Sequence, residues 1–331
     1  MSDFTLPPDW QITRAHAPLS ETIDWAHRFL GTDKPAWYEV DCSAIKVGVL
    51  DTGCPKTHPD LDGAIVDCFD FTNSSIGPYD LHGHGTWCLG YIGAIANTVG
   101  IRGIAAGCKL YSLKCLGDSG GGTDATCIAA VKKAIDLDLD VISLSWGGPV
   151  MSAELRQLLA SFRGVVFAAA GNDGRGTPVN YPAKWPEVGA IAALDKNGEL
   201  TTFSSYEPGV VLCCVPGQDM MSTIPGGYGL MSGTSMACPA AAGIAAKIIA
   251  KHRLRGGATP LNTRLQLFSH IRDFSTVRNG LRIIDPPGLL KAVEADAPAE
   301  VVKQEIWRPM NRGWRSAFDT ADIKACERVV A

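Results

Sequence analysis

Between residues 45 and 215 the chain keeps returning to a short apolar run that does not alternate with polar residues. IKVGVL at 45–50, LYSLKCL at 110–116, DVISLS at 140–145, VVFAAA at 165–170, VGAIAA at 188–193 and VLCCV at 211–215 are too short for helices. Most are too continuously apolar for strands with one wet face, and strands of that kind lie buried on both faces of a parallel sheet. Helical patterns separate them: DATCIAAVKKAIDL at 124–137, SAELRQLLASF at 152–162 and TSMACPAAAGIAAKIIAKHRL from 234. The alternation implies an α/β fold, a doubly wound, mostly parallel sheet with helices on both faces. Ligands of such sheets bind beyond the carboxyl ends of strands, so the chemistry should follow the apolar runs.

The pattern divides the chain into an N-terminal arm (1–44), one large domain (45–295) and a C-terminal extension (296–331). A helix SETIDWAHRFL opened by Ser20 is expected in the arm. A net charge of −4 gives no reason to bind nucleic acid or an anionic membrane. No run is long and apolar enough to span a bilayer, and the first residues carry no basic-then-apolar leader. The eleven cysteines are odd in number, lack a Cys-x-x-Cys pair and fall partly inside apolar runs. They read as free buried thiols in a reducing, cytoplasmic setting.

Three short segments carry chemistry. Val49-Leu50-Asp51-Thr52-Gly53 ends an apolar run in a carboxylate and a glycine turn. An aspartic protease would need a second such motif to share a proton between two carboxylates, and the chain has one. His82-Gly83-His84-Gly85-Thr86 offers two imidazoles, of which His84 stands directly before Gly-Thr and a small-residue helix. Ser232-Gly233-Thr234-Ser235-Met236-Ala237-Cys238-Pro239 sets a serine at the start of a long helix, whose dipole favours developing negative charge. Ordinary readings exist for each residue alone: a turn-capping Asp, a structural His, a helix-capping Ser.

Together, and in the order Asp, His, Ser, these segments resemble the subtilisin-like serine proteases over roughly Lys46 to Leu290. The resemblance implies a three-layer subtilisin-like fold and a serine endopeptidase acting on polypeptides. Ser235 is then the nucleophile, His84 the general base and Asp51 its orienting partner. Ala169-Ala170-Gly171-Asn172 matches the segment whose asparagine donates to the oxyanion, so Asn172 joins the catalytic set. Gly120, Gly121 and Gly122 match one edge of the substrate cleft and Ser145, Trp146 and Gly147 the other, so that an extended peptide would add as a strand between them. The first specificity pocket would lie between Ser145–Gly147 and Ala169–Gly171, lined by Ala170 and Gly171, with Asn180 at its base and Asp173 at its rim.

The resemblance also implies a structural calcium ion, held by Asp60, Asn97 and the carbonyls of Ile95, Val99 and Ile101. The family's further ligand from the N-terminal arm has no match. Trp87 and Ala240 stand where histidines are common in the family, and Cys88 matches a thiol beneath the active site in one branch. Leu6-Pro7-Pro8 is similar to the inhibitory segment of the intracellular branch, which would make the arm a short pro-segment. The alternative from another class is a catalytically silent scaffold, against which intact Asp51, His84, Asn172 and Ser235 argue.

Overall fold

The computed structural model describes residues 3–5, 12–15, 20–254 and 264–295. Its N-terminal part holds β1 (Asp3–Thr5), β2 (Thr13–Ala15), α1 (Trp25–Leu30) and α2 (Pro35–Tyr38). The central part runs β3 (Lys46–Asp51), β4 (Ile65–Asp70), α3 (His84–Gly93), β5 (Lys109–Lys114), β6 (Gly121–Thr123) and α4 (Asp124–Asp136). It continues through β7 (Val141–Leu144), α5 (Ala153–Ser161), β8 (Val165–Ala169), β9 (Gly189–Leu194) and β10 (Val211–Pro216). A hairpin of β11 (Met220–Ile224) and β12 (Gly227–Met231) precedes the long α6 (Thr234–Leu254). Then come α7 (Arg264–Asp273), β13 (Thr276–Arg278), β14 (Leu281–Ile283) and α8 (Pro286–Ala295). All lie in the unit Met1–Ala295; a second unit, Asp296–Ala331, falls outside the described residues, as does Leu6-Pro7-Pro8.

The six apolar runs become six strands of one sheet, ordered β13-β14-β10-β9-β8-β7-β3-β5-β4 among the described residues. From β10 to β4 the strands pair in parallel, and only the β13–β14 hairpin is antiparallel. The α/β fold with a mostly parallel sheet is thus as the pattern implied. Along β3, Val47 and Val49 face one core with α3 and α6, while Leu50 faces the other with α4 and α5. That alternation makes three layers, each face of the sheet covered by helices. Helix α6 is buried all round from Thr234 to Ala250, as a helix hydrophobic on every side must be.

The chain lays down β3, moves outward to β4, returns to β5, then crosses β3 to place β7 on its other side. This reversal opens a crevice at the carboxyl ends of β3 and β7, where Asp51 and Ser145 emerge.

Two expectations are corrected. The first helix starts at Trp25, not at Ser20, because Asp24 is the residue whose carboxylate accepts the His27 N–H and caps it. Cys54 and Cys68 are not free thiols: they form a disulfide with Cα atoms 6.8 Å apart. Cys54 follows the Asp-Thr-Gly turn and Cys68 sits on edge strand β4, so the fold brings together two residues that no local pattern relates. Eight further cysteines are free and buried, as the apolar runs implied.

Candidate active site

Asp51 closes β3 and His84 opens α3, and the two meet because these backbones touch. A Cβ on Gly85 would stand 2.6 Å from Gly53 O, so only glycine lets the helix start press against the turn. Asp51 is buried, and its Oδ1 accepts both the Thr52 N–H (2.7 Å) and the His84 Nδ1 proton (2.8 Å). That bond fixes the imidazole tautomer and leaves Nε2 as the free base. It also decides between the two histidines of the motif: the His82 ring lies 6.2 Å from that of His84 and is not the partner of Asp51.

Ser235 arrives from the opposite side, in the first turn of α6. Its Oγ donates to Ser145 O at 3.0 Å rather than to His84, so engaging the base requires a rotation about χ1. Ser145 is buried beneath it and returns the contact, its Oγ donating to Ser235 O at 2.9 Å. The sequence supplies the reason. Pro239, four residues on, has no N–H with which to bond Ser235 O, so the carbonyl is released from the helix ladder and takes the Ser145 hydroxyl instead. The proline of the octapeptide therefore anchors the serine to the end of β7.

Asn172 follows β8 and commits its Oδ1 to Thr234, accepting from the backbone N–H and the hydroxyl, both at 2.9 Å. Its Nδ2 is thereby turned toward Gly233, 3.2 Å from where a Cβ there would stand. An amide donor and the N-terminal end of α6 converge beside Ser235, the arrangement that stabilises an oxyanion. Below them Cys88 is fully buried, its Sγ 3.6 Å from Ser145 Oγ, 3.9 Å from Asp51 Oδ2 and 4.0 Å from His84 Nδ1. Burial, and then the Asp51 charge, push its thiol far up, so it packs as a neutral group. Trp87 occupies its unusual position by stacking on Tyr91 (centroids 5.0 Å apart) and donating Nε1–H to Gly229 O.

The expected cleft residues divide. Gly147 and Gly171 face Asn180 from two sides: a Cβ on the first would lie 3.3 Å from Asn180 Cβ, and on the second 2.6 Å from its Nδ2. Asn180 donates to Asp173 Oδ2 at 2.8 Å, so base and rim are linked. Ala170 is buried. Trp146 does not offer its ring to this space. The ring is buried in the core on the α4 side, its Nε1–H bonded to Leu50 O at 2.7 Å. Gly120, Gly121 and Gly122 form a tight hairpin, with Gly117 N–H donating to Gly121 O. The edge offered by Gly121 and Gly122 is already taken: β1 pairs antiparallel with β6, Phe4 opposite Gly122 and Thr5 opposite Gly121.

The Asp60 region is a second buried centre. Asp60 Oδ2 accepts the Ile101 N–H (2.8 Å) and Oδ1 the Asn97 amide (3.0 Å), while Ile95 N–H donates to Asp60 O (2.8 Å). The Tyr228 hydroxyl bonds the same carboxylate; burial and then the Asp60 charge push the phenol up. Asn97 Oδ1 accepts from Val99 N–H, so the nitrogen, not the oxygen, of its amide faces Asp60. The arm crosses this loop, with Glu21 N–H donating to Thr98 O and Thr22 N–H to Gly100 O. Glu21 ion-pairs with Arg102 through Oε1, and its Oε2 is buried without a hydrogen-bond partner. A buried carboxylate, an orphaned carboxylate oxygen and loop carbonyls are hard oxygen donors of the kind calcium takes. Sequence reasoning missed Glu21, since no motif surrounds it.

Residues 43–269 match the model of the Subtilase family. Subtilisin NAT of Bacillus subtilis subsp. natto is 39% identical over 218 residues, covering 63% of this chain and 56% of that protein. Subtilisin of Bacillus pumilus is 39% identical over the same length, covering 78% of it. Subtilisin Savinase of Lederbergia lenta is 37% identical over 238 residues, covering 71% of this chain and 84% of that protein. The chain thus spans little more than half of the first relative's length. Fold, motif order and these matches agree: the chain belongs to the subtilase family.

Proposed function

We propose that the protein is a serine endopeptidase that hydrolyses peptide bonds through an acyl-enzyme on Ser235. The observation that carries this is the His84 Nδ1–Asp51 bond of 2.8 Å facing a serine whose neighbour Asn172 holds an amide donor free. Ser235 Oγ attacks the scissile carbonyl as His84 takes its proton, and His84 then protonates the leaving amine. Asn172 Nδ2 and the Ser235 N–H receive the oxyanion. Labelling with a fluorescent fluorophosphonate tests the reading. Wild type should label and Ser235→Ala should not; equal labelling of both would refute it.

Substrate would bind as an extended strand along β6 and the 145–147 edge, its first side chain between Gly147 and Gly171 above Asn180. The pairing of β1 with β6 supports the arm as a short pro-segment lying where substrate would. Deleting residues 1–20 should then speed labelling, whereas an unchanged rate would make the arm an ordinary brace. Calcium would be held by Asp60, Glu21 and the carbonyls of Ile95, Val99 and Ile101, with Asn97 joining once its amide turns over. The ion would fasten the arm to the loop. A melting temperature that does not respond to calcium after chelation would argue against it. Eight buried free thiols suit a reducing, cytoplasmic compartment, the Cys54–Cys68 disulfide suits an oxidising one, and fractionation would decide between them.

A further inference from the structure

Asp80 lies in none of the three motifs, yet its carboxylate collects five hydrogen bonds. It is buried at 4% exposure. Its Oδ1 accepts from Thr52 Oγ1 (2.9 Å), His82 N–H (3.0 Å) and Gly83 N–H (2.8 Å), and its Oδ2 from Thr86 N–H (2.8 Å) and Thr86 Oγ1 (2.7 Å). Thr52, whose hydroxyl reaches Asp80, in turn accepts the Gly85 N–H at 2.8 Å. The N-cap of α3 is Gly83, which has no side chain to cap with. Asp80 and Thr52 together satisfy the N–H groups that Gly83, Gly85 and Thr86 would otherwise leave unpaired at this helix start.

These two residues join the sides of the Asp51–His84 pair. Thr52 follows Asp51 and gives its own N–H to Asp51 Oδ1, while Gly83 and Gly85 flank His84. Asp80 is held in turn by its N–H to Cys54 O (2.8 Å), on the same turn as Asp51. We propose that Asp80, acting through the Thr52 hydroxyl, is a positioning residue that sets the alignment of His84 on Asp51. The inference deepens the endopeptidase reading and rests on it for its kinetic consequence. The physical basis is stringency: a base displaced by about 1 Å costs on the order of 100-fold in rate, while substrate binding along the cleft edges is untouched. The effect therefore belongs in kcat and not in KM.

The test compares Asp80→Asn, Thr52→Val and Thr52→Ser with wild type. Rates on a peptide substrate are normalised to sites titrated by the fluorophosphonate, so that loss of folded protein is removed from the comparison. Asp80→Asn and Thr52→Val should each lose about 10- to 100-fold in kcat per titrated site with KM within about 3-fold. Thr52→Ser, which keeps the hydroxyl, should stay within about 3-fold of wild type. Should Asp80→Asn fail to fold, the Thr52 pair carries the comparison, since valine matches threonine in shape. An unchanged kcat per titrated site alongside a lowered melting temperature would overturn the proposal, making the network a helix cap only.

A second readout does not need turnover. The His84 Nδ1 proton, bonded to Asp51, should resonate far downfield of the amides by proton NMR, and should shift or broaden in Asp80→Asn and Thr52→Val but not in Thr52→Ser. An identical resonance in all four proteins would overturn the proposal even if wild type neither labels nor cleaves, an outcome that would instead sink the endopeptidase reading.

Discussion

Asp51 and Asp60 both lie in the stretch that leads from β3 into β4, and both are buried, at 1% and 0% exposure. They use their oxygens differently. Asp60 spends both on a backbone N–H, a side-chain amide and a phenol, drawn from the Ile95–Ile101 loop and from Tyr228. Asp51 puts both of its close bonds on Oδ1, one of them to an imidazole, while Oδ2 has the Cys88 sulfur at 3.9 Å among the described residues. A carboxylate bonded as Asp60 is holds a loop in place. One whose chief partner is a titratable ring can answer to a change of charge on that ring, and burial makes its answer strong.

Matched substitutions should break this symmetry. Asp51→Asn leaves the volume but gives His84 the wrong tautomer, so kcat should fall about 10,000-fold with little change in melting temperature. Asp60→Asn turns one acceptor into a donor facing an N–H, and should cost about 2–4 kcal/mol of stability with kcat per titrated site preserved. Active-site titration with calorimetry checks both. The contrast fails if the two variants lose activity and stability in the same proportion. Asn172→Ala sharpens the same divide from across the cleft: turnover should drop about 100- to 1000-fold through loss of the proposed oxyanion donor. The melting temperature should fall too, because Thr234 loses the oxygen that accepts its N–H and hydroxyl. A rise in KM without loss of kcat would remove Asn172 from that role.

What could be read beforehand follows the same line. The strands buried on both faces were legible because their composition is forced: VVFAA and GAIAAL have no wet side. The segments of Asp51, His84 and Ser235 were legible through their resemblance to a family's motifs, and one of their glycines, Gly85, is required by its contact with Gly53 O. Edge strand β4 escaped because IVDCFD is half exposed and its pattern is set by neighbours, not by burial. The β11–β12 hairpin escaped although Pro225-Gly226 between two mixed runs is a turn signal that could have found it. Pairings between distant segments left no trace at all: β1 with β6, Glu21 with the Asp60 loop, Cys54 with Cys68.

The disulfide offers a smaller effect on the same stretch. It closes a 14-residue span that contains Asp60. Cys68→Ser should therefore cost about 3 kcal/mol, chiefly by freeing the unfolded chain. The loss should appear as a lower melting temperature that reductant no longer changes. If reductant leaves the wild type unmoved as well, the bond contributes nothing under those conditions.

The smallest expected effect concerns the histidine of the motif that does not bond Asp51. His82 is half-buried, and burial, followed by the neighbouring His84, lowers its pKa from 6.5 to about 4. Buried His27 is shifted the same way, burial being the main cause. Between pH 6.5 and about 4 the unfolded chain thus binds a proton at His82 that the folded chain refuses. Stability contributed by neutral His82 is complete above pH 6.5 and is lost progressively as the pH falls toward 4. His82→Gln removes that slope, so its melting temperature should fall less than that of wild type between pH 7 and 4.5, with His27 still acting in both. Parallel curves would mean that His82 titrates like a solvent-exposed imidazole. The two histidines of one motif would then differ only in which of them faces Asp51, and not in the environment that keeps His82 neutral beside it.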